Sequence, residues 1–247
     1  MATEERKDNE SRQHEAAETD AAGKYTRLEG QRNTYLQRAR DAALLTIPTL
    51  MPPAGSSSAT KFPTPYQGLG ARGVNNLASK LLLALLPPNS PFFRLNIDDF
   101  ELEQLTQQEG MRGKVEEAFG SIERSVMNNI ETNAVRVKLF EAIKQLIIAG
   151  NVLLHVQPDG SVRAFRLDRY VVKRDPVGNV LEIIVKEDIS PRVIPEEIRM
   201  ACGLTDTDSP AKESVSLYTC VTRDTKEAKF EIYQELNGKM VPGSDGE

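Results

Sequence analysis

The sequence has no tryptophan, two histidines and two cysteines among its 247 residues. Its longest apolar run, residues 81–88, is far too short to cross a bilayer. Residues 1–24 are charged and polar and carry no apolar core of a signal peptide, so a cytoplasmic protein is expected. Cys202 and Cys220 form no CxxC pair and no Cys/His cluster, which argues against a zinc site. Their spacing leaves a disulfide open, although two thiols in a chain this long fit a reducing compartment. His14 stands in a polar stretch, and His155 is a lone histidine in a strand-like segment with no nucleophile placed against it. Net charge is −5 and the pI is about 5.3, so nothing suggests a protein that grips nucleic acid by bulk charge. Acids are themselves missing from one region: none occurs from residue 42 to residue 97.

What is present reads as an α+β chain, a helical segment followed by an antiparallel β-rich one. Residues 1–24 hold seven acids and four cations and are expected to be a disordered arm. Residues 25–150 read as helical and 151–247 as β-rich. Leu28, Tyr35, Ala39, Ala42 and Ala43 predict one helix from Tyr25, stopped by Pro48. Residues 48–66, with five prolines and three consecutive serines, predict a loop. Val74, Leu77, Ala78, Leu81 and Leu85 give the next helix, 67–86, a single apolar face. Residues 92–97 alternate briefly and predict a short strand. Val115, Phe119, Ile122, Val126 and Ile130 mark a further helix. Leu139, Ile143, Leu146 and Ile147 mark another, with Gly150 as its C-terminal cap.

Beyond Gly150 the period becomes two. Strands 152–157 and 162–167 flank Pro158-Asp159-Gly160, and strands 170–174 and 180–186 flank the turn 176–179. Residues 195–201 predict a short helix. Strands 214–222 and 228–236 follow, and Asn237-Gly238 opens a hairpin whose return strand has hardly begun at residue 247. That unfinished edge predicts an artificial or incomplete C-terminus.

The sharpest motif is Gly68-x-Gly70-x-x-Gly73, which matches the dinucleotide-binding pattern. Its context argues against a nucleotide. No strand precedes it, and no acid follows at the distance a ribose requires. Small residues that let a helix approach a neighbour are the simpler reading. Lys61, Arg72, Lys80 and Arg94 occupy the acid-free region and are candidate contacts to phosphate or an acidic partner, against the plainer reading of solvated cations. Asp159, Asp168, Asp175, Glu182, Glu187 and Asp188 are spread over turns and strands in no catalytic spacing. Arg163, Arg166 and Arg169 read as a solvated face or, more sharply, as an arginine row at a subunit interface. No catalytic residue, cofactor or metal site is expected.

The run TPYQGLGARGVNNLASKLLLALLPPNSPFFRLNI, residues 64–97, resembles the portal, or head-to-tail connector, proteins of short-tailed bacteriophages. FEAIKQLIIAGNVLL (140–154), YVVKRDPVGNVL (170–181) and VPGSDG (241–246) continue the resemblance in order over about residues 25–247. The resemblance implies a non-enzymatic subunit of the ring, usually of twelve copies, at one capsid vertex. It implies a wing-like region, with stem, clip and crown mostly beyond residue 247. It further implies capsid and scaffolding proteins, a terminase packaging motor, tail adaptors and double-stranded DNA in the channel as partners, no membrane, assembly in the host cytoplasm and residence in the virion. A DNA-binding adaptor of virion assembly is the alternative; a nucleotide-binding enzyme on Gly68–Gly73 is a remoter one.

Overall fold

The computed structural model describes residues 20–56, 59–88, 90–96, 111–204, 214–223 and 229–246. Among them are six α-helices, mostly N-terminal, and seven strands, all paired antiparallel, so the fold is α+β. The described residues form two compact units, one drawn from Met1–Gln37 with Leu167–Glu247 and the other from Arg38–Arg166.

The first unit is built on a five-stranded antiparallel sheet in the order β3-β4-β5-β6-β7. The strands are β3 Tyr170–Arg174, β4 Val180–Ile189, β5 Val215–Arg223, β6 Phe230–Leu236 and β7 Lys239–Met240. Register places Val171 opposite Ile184, Ile184 opposite Cys220, and Cys220 opposite Tyr233, a row across one sheet face. Helix α1, Ala21–Gln31, lays Ala21 and Tyr25 on that row, and Ala21, Tyr25, Val171, Ile184 and Cys220 are all buried. Helix α1 thus starts inside the stretch expected to be a disordered arm; residues 1–19 lie outside the described residues. The start is fixed by a local cap, Asp20, and by a distant acid that local composition does not reveal. The Asp20 side chain accepts from the Gly23 N–H at 2.7 Å, and Glu235, 214 residues away, accepts from the Ala21 N–H at 2.7 Å. Both carboxylates sit where the helix exposes unpaired donors and its positive dipole end.

The single helix expected from Tyr25 is two. It breaks at Arg32, between α1 and α2, Asn33–Leu45, with Arg32 at φ −108° and ψ 11°. The arginine is held elsewhere: its Nη2 donates to the Leu167 carbonyl at 2.7 Å and its guanidinium lies over the Tyr170 ring. The Tyr25 hydroxyl donates to the Asp168 carbonyl at 2.8 Å, so two side chains grip the 3-10 turn Leu167–Arg169 that leads into β3. A second cluster, Ile194, Cys202, Leu204, Leu236 and Val241, gathers around the short helix α6, Glu196–Ala201. The Asn237-Gly238 turn has both residues at positive φ, 54° and 72°, as a two-residue hairpin of this type requires. After β7 the backbone stays along β6, and Gly246 pairs with Ile232.

The second unit holds the end of α2 and three longer helices: α3 Leu69–Leu85, α4 Met111–Thr132 and α5 Val135–Ala149. It also holds the hairpin β1 Leu153–Val156 and β2 Val162–Phe165. Helix α5 packs on α3, α4 and β2. Gly150, at φ 75°, ends α5 as the sequence pattern predicts, its N–H bonding the Leu146 carbonyl at 2.9 Å. The strand predicted at 92–97 does not form in its described part, residues 92–96. Leu95 donates its N–H to the Glu123 carboxylate at 2.7 Å instead of to a strand, and Phe92 packs edge-on to Phe93. Ile97 lies outside the described residues.

Candidate assembly interface

Helix α3 carries the motif that stood out in the sequence, and its geometry is that of packing. Among the described residues before it, 20–56 and 59–67, none forms a strand. Gly68 caps the helix without a side-chain bond. At Gly70 a Cβ would stand 2.5 Å from the Leu45 carbonyl oxygen and 3.0 Å from the Thr46 Cγ2, so glycine is required for the helix start to cross the end of α2. At Gly68 and Gly73 a Cβ would meet nothing within 4 Å. A nucleotide reading needs a strand feeding this turn, and the structure supplies none.

The C-terminal end of α3 is closed by a residue the sequence pattern does not single out. Arg136, in the first turn of α5, donates Nη1 to the Leu86 carbonyl and Nη2 to the Pro87 carbonyl at 3.1 Å. Its Nε pairs with Glu131 of α4 at 2.6 Å. One guanidinium thus joins three helices and satisfies carbonyls that a helix end leaves without partners. No spacing rule could reveal it, because the contact spans fifty residues.

The apolar face predicted for α3 is only partly covered. Val74 and Ala78 are buried, while Leu77, Leu81 and Leu85 are 47%, 37% and 56% exposed. Leu69 and Leu83 are exposed as well. The run LLLALL puts leucines nearly all round the helix, and that was the available signal for a second apolar side.

The four candidate cations are all exposed: Lys61 in the loop, Arg72 and Lys80 on α3, Arg94 beyond it. Arg72 and Lys80 stand about 12 Å apart along the helix and about 80° apart around it, so they form no single cradle. Arg163 lies over its neighbour Phe165, and Arg169 pairs with Asp188, so these two arginines serve local contacts. His155 is exposed on β1; His14 lies outside the described residues.

The acids are likewise committed locally. Asp159 is held below the usual carboxylate range by the Ser161 N–H at 2.8 Å, and Asp175 by the Asn179 side chain and N–H. Glu182 is buried against Lys24 at 3.4 Å. Partial burial opposes ionisation of Asp188, but hydrogen bonds from Arg169 and Ser216 outweigh it and keep the carboxyl low. Among the described residues no group of three or more His, Cys, Asp or Glu could hold a metal ion. Cys202 and Cys220 are both buried free thiols in separate core clusters, and burial pushes Cys220 up to about 11. Among the described residues no helix is long and apolar enough to cross a membrane.

A family model for the bacteriophage head to tail connecting protein matches residues 18–247. The chain belongs to that family. It is 42% identical over 235 residues to the portal protein of Escherichia phage T7, covering 93% of this chain and 44% of that protein. Against the portal protein of Enterobacteria phage T3 it is 41% identical over 92% of this chain and 43% of the relative. The portal protein of Pseudomonas phage phiKMV is 32% identical over 85% of this chain and 42% of its own length. The chain therefore spans less than half the length of these portal relatives. Within the head-to-tail connecting family the two units described above become the portion over which such proteins match, and the resemblance read from residues 64–97 holds.

Proposed function

We propose that this chain forms wing structure of a portal subunit, a ring-building and non-enzymatic component at one capsid vertex. The observation that carries the reading is the 42% identity to a portal protein over 93% of this chain. In this reading the helical residues 25–150 and the β-rich residues 151–247 are the two parts of the wing. The ring is a homo-oligomer of twelve copies. It provides the channel for genome packaging and ejection, and it offers the attachment point for capsid and scaffolding proteins, the terminase motor and tail adaptors. It is assembled in the host cytoplasm and retained in the virion. A mildly acidic subunit suits a channel through which DNA must slide, because little counterion release favours a tight grip.

Native mass spectrometry and electron microscopy of the complete gene product test this. Rings of about twelve subunits are expected; a protein that stays monomeric under every assembly condition refutes it. Lys61, Arg72, Lys80 and Arg94 are proposed as contacts to phosphate or to an acidic partner surface. Their joint replacement by glutamine should lower the salt sensitivity of such binding, and an unchanged salt slope removes them.

A further inference from the structure

We infer that α1 is a separable clasp: it lifts off the five-stranded sheet as a unit, pivoting at Arg32, while the rest of the first unit stays folded. The helix cannot stand alone. It has 11 residues, fewer than the roughly 12–15 at which an isolated helix is even marginal in water. Gly30 is exposed within it, and a Cβ there would meet nothing within 4 Å. Packing does not require this glycine, which costs the helix intrinsic stability. Helix α1 therefore exists only while it is docked, and lifting it also melts it.

The docking is thin in apolar contact. Ala21 and Tyr25 are the buried residues of α1, with Leu28 partly buried on the same cluster. The other ties are polar. Glu235 accepts from the Ala21 N–H, Lys24 Nζ stands 3.4 Å from Glu182, and the Tyr25 hydroxyl donates to the Asp168 carbonyl. The Lys186 ammonium lies over the Tyr25 and Tyr218 rings at 5.8 and 6.0 Å. Water replaces such partners once the helix lifts, so each tie contributes little net. The sheet holds itself, with unbroken register from β4 through β5 to β6. At Arg32 the backbone leaves the helix while the guanidinium stays on Leu167 and Tyr170, which gives α1 a fixed point to swing from. A segment held in this way opens at lower free energy than the whole protein. Cys220 makes the opening readable. It is fully buried in the cluster that α1 covers, whereas Cys202 belongs to the cluster around α6. Burial also holds the Cys220 thiol up near 11, so almost no thiolate is present while α1 is closed.

The test labels the unassembled complete gene product with iodoacetamide at pH 8, across urea concentrations below its unfolding transition. Peptide mass spectrometry follows the Cys220 adduct, and circular dichroism gives the global unfolding constant of the same protein. Labelling should be far slower than in the unfolded chain. The opening constant at Cys220 should still exceed the global unfolding constant by at least about tenfold, with less than about half its urea slope. Gly30→Ala should slow Cys220 labelling about two- to fivefold by strengthening the closed helix. Glu235→Ala, which removes the acceptor at the start of α1, should speed it about fivefold. Ile194→Val, in the Cys202 cluster, should raise the global unfolding constant about fivefold and leave Cys220 labelling unchanged. Cys220 labelling that matches global unfolding in size and urea slope overturns the clasp, and so does an Ile194→Val protein in which it rises with the global constant. Indifference to Gly30→Ala overturns it as well. The readout needs no ring, so a protein that never assembles removes the ring reading and leaves the clasp to be judged on labelling.

Discussion

Gly70 and Gly73 stand three residues apart on one helix and should respond in opposite directions to alanine. A methyl at Gly70 would lie 2.5 Å from the Leu45 carbonyl oxygen, 0.9 Å short of the 3.4 Å at which ordinary contact begins. Thr46 blocks a second direction, with Cγ2 at 3.0 Å and Cα at 3.3 Å. Two of these three obstacles are backbone, so relief requires α3 and the end of α2 to separate. Overpacking of this kind costs about 1–3 kcal/mol. The gain in helix propensity from glycine to alanine, up to about 1 kcal/mol, offsets part of it. A backbone clash at 2.5 Å belongs to the upper half of the overpacking range, about 2–3 kcal/mol, so the net loss for Gly70→Ala is about 1–2 kcal/mol. At Gly73 the added methyl meets open space, so only the propensity gain remains, about 0.5–1 kcal/mol of added stability. Urea unfolding of the monomeric subunit, followed by circular dichroism, resolves a difference of this size. In a thermal scan each kcal/mol corresponds to about 2–4 °C. A Gly70→Ala protein as stable as the wild type, or two variants shifting in the same direction, would refute the close crossing as the reason for the glycine.

Three further outcomes follow from the same structure. Arg136→Ala should destabilise the protein by about 2–4 kcal/mol in urea, since two helix-end carbonyls and the Glu131 carboxylate lose a charged donor; a change under about 0.5 kcal/mol would mean that solvent replaces the clamp without cost. Cys202 and Cys220 should resist a thiol reagent at pH 8 in the native protein and react fully once unfolded, because both are buried and the Cys220 thiol is held near 11; rapid native labelling would contradict the core assignment. Asp188 has a folded pKa below its unfolded value, so its contribution is present above the ordinary carboxylate range and lost as pH falls through the depressed value. The stability gap between wild type and Asp188→Asn should therefore be largest near neutral pH and shrink below about pH 4, and a gap that widened on acidification would reverse the assigned sign.

Much of the fold was legible because its signals are local. Gly150 as a cap, the turns at 158–160 and 176–179 and the Asn237-Gly238 hairpin depend on a few adjacent residues whose φ values admit few alternatives. The break at Arg32 and the early start of α1 were not legible. The break is accompanied by contacts to Leu167 and Tyr170, and the start rests on an acid 214 residues away. The alternation at 92–97 misled because the two adjacent aromatic rings pack edge-on to each other. The simpler reading of the GxGxxG motif, small residues for close helix approach, holds at one of its three glycines, Gly70, and not at Gly68 or Gly73. Of the interface, leucine abundance was visible in the sequence, but which leucines α5 leaves uncovered became visible only with the helix packed.

The first unit draws α1 from one side of residues 38–166 and its sheet from the other. A ribosome adding about 5–20 residues per second completes α1 roughly 10–40 s before it completes Cys220 in β5. Until Cys220 is added Tyr25 lacks its full cover, whereas every residue of the second unit has been made by residue 166. The order of synthesis therefore gives the second unit a head start and leaves the first to close last, across a long chain separation. That closure is the slow kind of contact to form. A nascent chain halted between residues 166 and 220 would present the Tyr25 face of its first helix to chaperones or to a neighbouring nascent copy.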